Sequence, residues 1–406
     1  MHGAARALSA LVLVVVAGAQ EASLWTGAAP SYVEYTGLMW DASWYRQIAV
    51  EGYPTELPRG ADGAVLQNAW AFFPLFPTLV RVLMVVTGAP WEVVAPSLAL
   101  VLGAAAMLVV HRLVLGAAER LPARGGVRVP PRGLALGTVA VLSTAPASPV
   151  LQVAYTESLA LLLVAAVLLA LREHRYLAAV PLVLALGLTR AVALPVLVAV
   201  LVHGLHRWWA MRDGGSMRSA DRLGLAVLGV ASAVAGVLWP IVCALVTGVP
   251  GAYLQTQAAW RARPEVVPLV PWLDMARWLA GPWGVVLLAV VVMLLLALVL
   301  GRTLRDLGPE LSGWTTGYLA YLLLVVEPGT SLVRFLLLAV GLAPAVLLGV
   351  VRLLVAGAPA ARAPGARWPA RALVGGTAAL VVLGVAGQVW WVWTLWRLIP
   401  PADWPP

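Results

Sequence analysis

The chain contains no lysine, only one cysteine, and little charge for its length. Of its 406 residues, 11% are charged and 62% are hydrophobic, whereas a soluble domain has roughly 25% charged residues and about half apolar ones. Apolar segments of about 20 residues, the length that crosses a hydrocarbon core, recur along the chain. A water-soluble fold is therefore excluded. Cys243, the one cysteine, lies in an apolar run, so a disulfide within the chain is excluded as well.

Several common site motifs are also missing. The sequence has no GxxxxGK(S/T) phosphate loop, no GxGxxG turn, no HExxH zinc motif and no CxxC pair. Its polar stretches are too short to form a separate nucleotide-sugar-binding domain. His203 and His206 are three residues apart without an acid nearby in sequence, so they are predicted to lie in or beside a cytoplasmic loop, as loop residues and not as metal ligands.

The net charge of +9 comes from an excess of arginines over acids. Most arginines lie between apolar segments, where they set orientation and contact headgroups, so we expect membrane lipids as partners and no nucleic acid. By the positive-inside rule, five basic clusters should face the cytoplasm: Arg112–Arg132, Arg172–Arg175, Arg207–Arg222, Arg302–Arg305 and Arg352–Arg371. The Ala-, Gly-, Val-, Leu- and Pro-rich composition indicates a GC-rich bacterial genome and a bacterial plasma membrane.

The pattern predicts an all-α, polytopic membrane protein with about 10–12 transmembrane helices in a single domain, 1–406. The run from Ala5 to about Ala19 is expected to be a retained first helix and not a secretory signal. The further predicted spans are 94–112, 133–149, 151–171, 176–190, 191–206, 223–247, 284–302, 312–327, 335–351 and 373–396. Trp70 to Thr87 is predicted to lie at the outer surface or to dip into it. The large outward loops are 21–70 and 248–284.

The first outward loop places an acid among aromatic residues, between Met39 and Tyr53. On a helix, Asp41 and Tyr45 are one turn apart and share a face. Aromatic rings stack on sugars and a carboxylate accepts a hydroxyl proton, which favours a sugar site. An interfacial helix with tryptophan anchors and a solvated Asp41 gives the same pattern. The phenylalanine- and proline-rich segment Asn68 to Pro77 is either a rigid corner or the wall of a lipid-facing groove.

Three charged residues lie near the predicted outer ends of spans. Glu157 and Arg190 are costly there, so they should pair or serve a site; a purely structural Glu157–Arg190 ion pair is the alternative. Arg334 has a guanidinium suited to a bidentate phosphate contact, and its alternative role is to reach toward the lipid headgroups.

The long outward loop carries hydrogen-bonding and stacking groups, among them Gln255 and Trp260. These groups are sufficient to bind a carbohydrate. An ordinary interfacial loop has the same composition, so both interpretations stay open.

The order of these clusters resembles the PIG-V family, which includes GPI mannosyltransferase II of eukaryotes and its bacterial relatives in the C-type glycosyltransferase superfamily. The resembling segments are Trp40-Asp41, Glu51-Gly52-Tyr53, Ala71 to Pro77, Tyr155 to Ser158, Thr189-Arg190 and Arg334-Phe335. The resemblance covers most of the chain and implies the C-type glycosyltransferase fold, with interfacial helices in the outward first loop. Eukaryotic members act in GPI-anchor assembly, an acceptor that a bacterium is not expected to make.

The resemblance implies an inverting enzyme that transfers mannose from a polyprenyl-phosphate-linked donor to a lipid or glycan acceptor on the extracytoplasmic face. Asp41 would be the general base, with Trp40 and Tyr45 around it. Arg190 and Arg334 would neutralise the departing phosphate, which needs charge stabilisation and no protonation. The other expected substrate-binding residues are Tyr155, Glu157, Gln255 and Trp260. No cofactor is expected, although one divalent cation on a carboxylate is compatible with the pattern.

Two other functional classes remain as alternatives. A transporter or flippase of a polyprenyl-linked or other lipid would be similarly hydrophobic, but transporters usually show paired halves with interrupted helices, and the sequence shows no such halves. A non-catalytic relative that serves as a subunit would not need the Trp40-Asp41 pair.

Overall fold

The structure, a computed structural model, describes residues 1–123, 128–212, 215–261, 263, 265–356, 368–400 and 406. Parts of three predicted basic clusters, 124–127, 213–214 and 357–367, lie outside the described residues. The described residues form eighteen α-helices and no β-strand. The first nine are α1 His2–Ala17, α2 Tyr32–Gly37, α3 Asp41–Glu51, α4 Leu75–Thr87, α5 Trp91–Ala118, α6 Pro131–Thr144, α7 Glu157–Arg172, α8 Tyr176–Gly187 and α9 Ala193–Arg212. The others are α10 Ser219–Thr247, α11 Ala252–Arg261, α12 Val270–Ala280, α13 Gly284–Val299, α14 Arg302–Asp306, α15 Pro309–Val325, α16 Leu332–Phe335, α17 Leu342–Ala356 and α18 Trp368–Trp391.

Five stretches of the described chain are long and apolar enough to cross a membrane. They are Trp91–Ala118, Ala193–Arg212, Ser219–Thr247, Val270–Asp306 and Trp368–Trp396. A bent pair, Leu332–Leu338 with Leu342–Val355, is a sixth candidate. Each of the ten numbered spans predicted from the sequence overlaps an α-helix, and several of these helices are shorter than a full crossing. The predicted all-α architecture with several apolar helices is confirmed, whereas five or six stretches of the described chain, not the predicted 10–12, are long and apolar enough to cross a membrane.

Two predicted spans are interrupted where the sequence suggested continuous helices. The span 335–351 is bent by 81° at a short break after Leu338. The span 151–171 becomes helical only at Glu157, after a 3-10 turn at Ser148–Gln152 that contains Pro149. Proline lacks the amide hydrogen that a continuing helix requires, so it favours this break. Both interruptions place polar side chains at helix ends inside the folded molecule.

Two further sequence predictions concern single elements. The segment Trp70 to Thr87 divides into a 3-10 turn and α4, whose 13 residues span about 20 Å, less than the roughly 30 Å of a hydrocarbon core. The prediction that His203 and His206 are loop residues without an acid nearby is wrong. Both belong to α9, and His203 is buried against Glu310, which is 107 residues away in sequence.

Small residues allow the central helices to approach closely. A Cβ at Gly103 of α5 would lie 3.2 Å from the carbonyl oxygen of Leu151, and one at Gly313 of α15 would lie 2.9 Å from Cα of Ala199 in α9. In a membrane, where apolar burial does not drive helix association, such close backbone contact stabilises the packing. The central helices therefore hold the ends of α7 and α9 in fixed positions.

The stretch that contains α13 is packed very differently. Only 6% of the most apolar 18-residue segment within Val270–Asp306 is buried inside the protein, compared with 39% for the corresponding segment of α5. Its exposed side chains are almost all apolar, as expected for a helix that faces lipid. Together with α12, this helix forms one side of a groove described below.

Candidate functional site

Four charged side chains from four separate segments meet in one cluster, here called the outer cluster: Asp41, Glu157, Arg190 and Arg334. Asp41 is the first residue of α3 and Glu157 the first residue of α7. Arg190 lies in the turn between α8 and α9, and Arg334 lies in α16. The two helix starts, the turn and the short helix α16 bring together residues that are up to 293 positions apart in sequence.

The cluster alternates acid and base along a chain of ion pairs. Arg334 Nη2 is 2.6 Å from Asp41 Oδ2, and Arg334 Nη1 is 3.2 Å from Glu157 Oε1. Arg190 Nη1 contacts the same Glu157 oxygen at 2.7 Å. Burying such charges carries a desolvation cost that only paired and hydrogen-bonded geometry offsets. With two carboxylates and two guanidiniums, the outer cluster is electrically balanced.

Two buried polar atoms of the outer cluster have no hydrogen-bond partner among the described residues. Glu157 is 1% exposed, and its second oxygen, Oε2, has no hydrogen-bond partner within the described residues. The same is true of Nε of Arg334. Buried polar atoms are almost always hydrogen-bonded in native proteins, so unpaired ones at a charged centre indicate a position where a ligand or water completes the network.

Neutral hydroxyl groups surround the charges. The Asp41 backbone N–H donates to the Tyr155 hydroxyl at 3.1 Å, and the Tyr155 ring lies under the Arg334 guanidinium, with Cζ 4.9 Å from the ring centroid. Arg190 also donates to the Thr156 hydroxyl at 3.1 Å, and Tyr45 is within 3.3 Å of that hydroxyl. Burial raises the pKa of Tyr45 above its ordinary value, so its phenol stays protonated.

Trp40 contributes through its backbone more than through contact with the charges. Its φ of 58° and ψ of −128° are a conformation that L-residues rarely adopt. The indole Nε1 donates to the carbonyl oxygen of Trp396 at 2.7 Å, and the ring lies 4.9 Å from the ring of Trp25. This anchored, strained residue fixes the point at which α3 begins, and therefore the position of Asp41.

An aromatic wall follows on the other side of α3. Trp44 stacks on Phe72, with ring centroids 5.7 Å apart and planes 12° apart, and Trp260 contacts both rings edge-on at 5.4 Å. Phe72 also contacts the Tyr45 ring, with centroids 5.3 Å apart, so one aromatic ring separates Trp260 from Tyr45. Gln255 is not brought to the cluster, because it points to Arg59 and to the carbonyl oxygen of Pro250.

Sequence reasoning named most of the cluster but missed part of it. Thr156, Trp44 and Phe72 each touch a predicted site residue and were not singled out. Thr156 could have been found, because it lies inside the Tyr155–Ser158 segment that supports the family resemblance. The role of the Trp396 carbonyl has no signal in the sequence, since any residue supplies a backbone oxygen.

An apolar groove of about 620 Å³ begins beside the cluster. Trp40 and Val333, which lie next to Asp41 and Arg334 in sequence, line its inner end. Its other walls come from α12, from the lipid-facing α13 and from the end of α18, with Leu279, Val291 and Trp390 among them. The groove is therefore next to the outer cluster through the chain neighbours of Asp41 and Arg334, while none of the four charged residues is itself among its lining residues.

Within the described part of the chain, no group of three or more histidine, cysteine, aspartate or glutamate side chains is arranged to hold a metal ion. The two acids of the outer cluster are each in contact with an arginine. Asp41 has the more exposed carboxylate of the two, with 16% of its side chain accessible compared with 1% for Glu157. A cation that entered the cluster would therefore meet Asp41 first.

Comparison with known proteins gives only distant structural likenesses. No protein-family model matches the chain, and no curated protein matches its sequence. Its fold is similar to the crystal structure of the oligosaccharyltransferase of Archaeoglobus fulgidus, which was solved with a tethered acceptor peptide containing the NVT sequon, with a TM-score of 0.46 and 13% sequence identity. The similarity covers 96% of this chain and 55% of the archaeal one, so this chain spans about half of that protein's length. The resemblance to the PIG-V family stays a prediction.

Proposed function

We propose that the protein is an inverting glycosyltransferase of the membrane, which moves mannose from a polyprenyl-phosphate donor to a lipid or glycan acceptor on the extracytoplasmic face. The observation that carries this proposal is a balanced cluster of acids and arginines beside an apolar groove, which is lined by Trp40 and Val333, the sequence neighbours of Asp41 and Arg334. A lipid phosphate has a charged group that would bind at the arginines and an apolar tail that would fit the groove. The identity of the sugar and the side of the membrane rest on the family resemblance and on the arginine distribution.

Arg334 and Arg190 are the proposed phosphate-binding groups. A guanidinium presents parallel N–H donors that match phosphate oxygens, and fixed positive charge stabilises the phosphate as it leaves. Glu157 holds both guanidiniums through one oxygen, at 3.2 and 2.7 Å. Its role in this proposal is to position the arginines, because its carboxylate repels the phosphate.

Asp41 is the proposed general base. The acceptor hydroxyl gives its proton to the Asp41 carboxylate as its oxygen attacks the anomeric carbon, and the bond from that carbon to the phosphate oxygen breaks in the same step. The electron pair of the broken bond leaves with the polyprenyl phosphate. Arg334 Nη2 lies 2.6 Å from Asp41 Oδ2. A phosphate that draws Arg334 toward itself would leave that carboxylate oxygen available to the acceptor hydroxyl.

The proposal is tested by a transfer assay with purified full-length protein in detergent. The donor is a synthetic polyprenyl-phosphate mannose with a radiolabelled sugar, and the acceptors are lipid and glycan fractions from a bacterial envelope. We expect label to appear in an acceptor fraction with inverted anomeric configuration. If the same protein in vesicles moves the donor across the bilayer and forms no glycosidic bond, the transporter alternative is correct and the proposal is wrong.

A further inference from the structure

A second polar cavity lies at the other end of α7, away from the outer cluster. Glu157 begins this helix and Arg172 ends it, so the two ends are about 22 Å apart at 1.5 Å per residue. The cavity has a volume of about 710 Å³ and lies among the ends of α7 and α9 and the start of α15. Its walls include members of four of the five basic clusters that predict a cytoplasmic orientation.

At the floor of this cavity, here called the inner cavity, the charged and polar side chains pair with one another. Glu310 is buried, with His203 Nδ1 at 2.8 Å from Oε1 and Arg172 Nη1 at 3.4 Å from Oε2. The other imidazole nitrogen of His203 contacts the Tyr176 hydroxyl at 3.1 Å. Arg172 also donates to the carbonyl oxygen of Gly116. The one acid at the floor is therefore already engaged and does not neutralise the rest of the cavity.

Three arginines at the rim of the cavity form no ion pair with an acid of the described chain. Within the described residues, Arg120, Arg207 and Arg305 have no carboxylate within ion-pair distance. The other acid in the lining, Asp306, is held by Arg352 at 2.7 Å. The neutral imidazole of His174 is the hydrogen-bond partner of Arg207, at 2.9 Å. Burial, followed by the charge of Arg207, lowers the pKa of His174, so this imidazole stays neutral near pH 7.

The remaining wall is apolar. Leu205, Trp209 and Met211, all near the end of α9, line it, and Trp209 is 53% exposed. Tryptophan rings at such positions are typical of the interface between headgroups and hydrocarbon. An occupant therefore meets excess positive charge on one side and hydrocarbon on the other.

We propose that the inner cavity binds a phosphate-bearing anion through Arg120, Arg207 and Arg305. The apolar wall favours an anionic phospholipid of the cytoplasmic leaflet over free phosphate as the source of that group. This site is separate from the proposed transfer site and does not depend on it.

The test compares two double variants of the full-length protein that remove the same charge. Arg207→Gln with Arg305→Gln removes two rim arginines. The matched control, Arg132→Gln with Arg302→Gln, removes two exposed arginines of the same predicted side that do not line the cavity. Purified protein in uncharged detergent is titrated with phosphatidylglycerol in one arm and with inorganic phosphate in the other. Apparent Kd is read from the shift in Tm.

We expect phosphatidylglycerol to raise the Tm of the wild type and of the control, and the rim variant to bind roughly thirty-fold more weakly. If inorganic phosphate reproduces the shift with the same dependence on Arg207 and Arg305, the site is supported and its ligand is soluble. An equal loss in the control and the rim variant, or no shift in either arm, overturns the proposal. Arg120→Gln alone should weaken binding by roughly fivefold, which checks that the double variant did not simply distort α9 or α14.

Discussion

The two ends of α7 carry the same kinds of residue in opposite arrangements. At the outer end, two acids and two arginines are in mutual contact and their charges cancel. At the inner end, Glu310 and Asp306 are each engaged by an arginine, and three further arginines line the cavity without an ion pair to any carboxylate among the described residues. Composition alone does not distinguish these ends. The difference lies in which charges are within 4 Å of one another.

This difference separates two kinds of site. In a balanced cluster, each arginine is held in place by an acid. An incoming phosphate can then compete with that acid for the arginine. A cavity with surplus positive charge attracts an anion, and no ion pair within the protein has to break when the anion binds. The outer cluster therefore suits a reaction with turnover, and the inner cavity suits a resident ligand.

The strongest test of the comparison removes the acid that the reaction would use. Asp41→Asn keeps the shape of the side chain but cannot accept a proton at neutral pH. We expect the transfer rate to fall by about a hundredfold or more, the usual contribution of a general base; Asp41→Ala should do the same. The initial rate of mannose transfer measures the effect. Glu51→Gln, at the exposed end of the same helix, is the control and should be near normal. Near-normal turnover in Asp41→Asn would contradict the assignment.

A somewhat smaller effect is expected from the arginine that links the two acids. Arg334→Gln removes the charge that contacts both Asp41 and Glu157. Loss of one such stabilising group usually lowers kcat by roughly a hundredfold. Steady-state kinetics with the lipid donor separate kcat from KM. Arg81→Gln, an exposed arginine on α4, is the matched control. A change confined to KM would mean that Arg334 binds the donor without assisting departure of the phosphate.

The smallest effect should come from a neutral member of the cluster. Tyr45→Phe removes one hydroxyl that contacts Thr156 at 3.3 Å, and a neutral hydrogen bond contributes about 0.5–1.5 kcal/mol. We expect a two- to tenfold lower rate. Because burial raises the pKa of Tyr45, the phenol is protonated from about pH 6 to pH 9, and the pH profile should keep its shape. A profile that changes shape in this range would show that Tyr45 transfers a proton.

Sequence reasoning named the four charged residues that meet in the outer cluster, but it did not give their geometry. Asp41, Glu157, Arg190 and Arg334 were all singled out, and the suggested Glu157–Arg190 pair is present at 2.7 Å. The sequence could not reveal that Arg334 bridges Asp41 and Glu157, because that contact depends on where two interrupted segments end.

The errors have the same physical origin. His203 was separated from acids in sequence, yet packing of α9 against α15 places it on Glu310. Gln255 was included because its loop is rich in polar groups, and loop composition does not fix direction. Periodicity predicts which segments are helical, but it cannot show where a helix bends by 81° or begins six residues late.

The sparse packing of α13 has a consequence for how a long lipid reaches the groove. Only 6% of the most apolar segment of Val270–Asp306 is buried inside the protein. Because α13 from this stretch lines the groove, we expect one side of the groove to border the bilayer. In the proposed reaction, a donor with a tail of many isoprene units would enter the groove sideways from the surrounding lipid and leave the same way. Loading would then need no threading of the tail past the central helices, and the length of the isoprenoid should matter little to the rate.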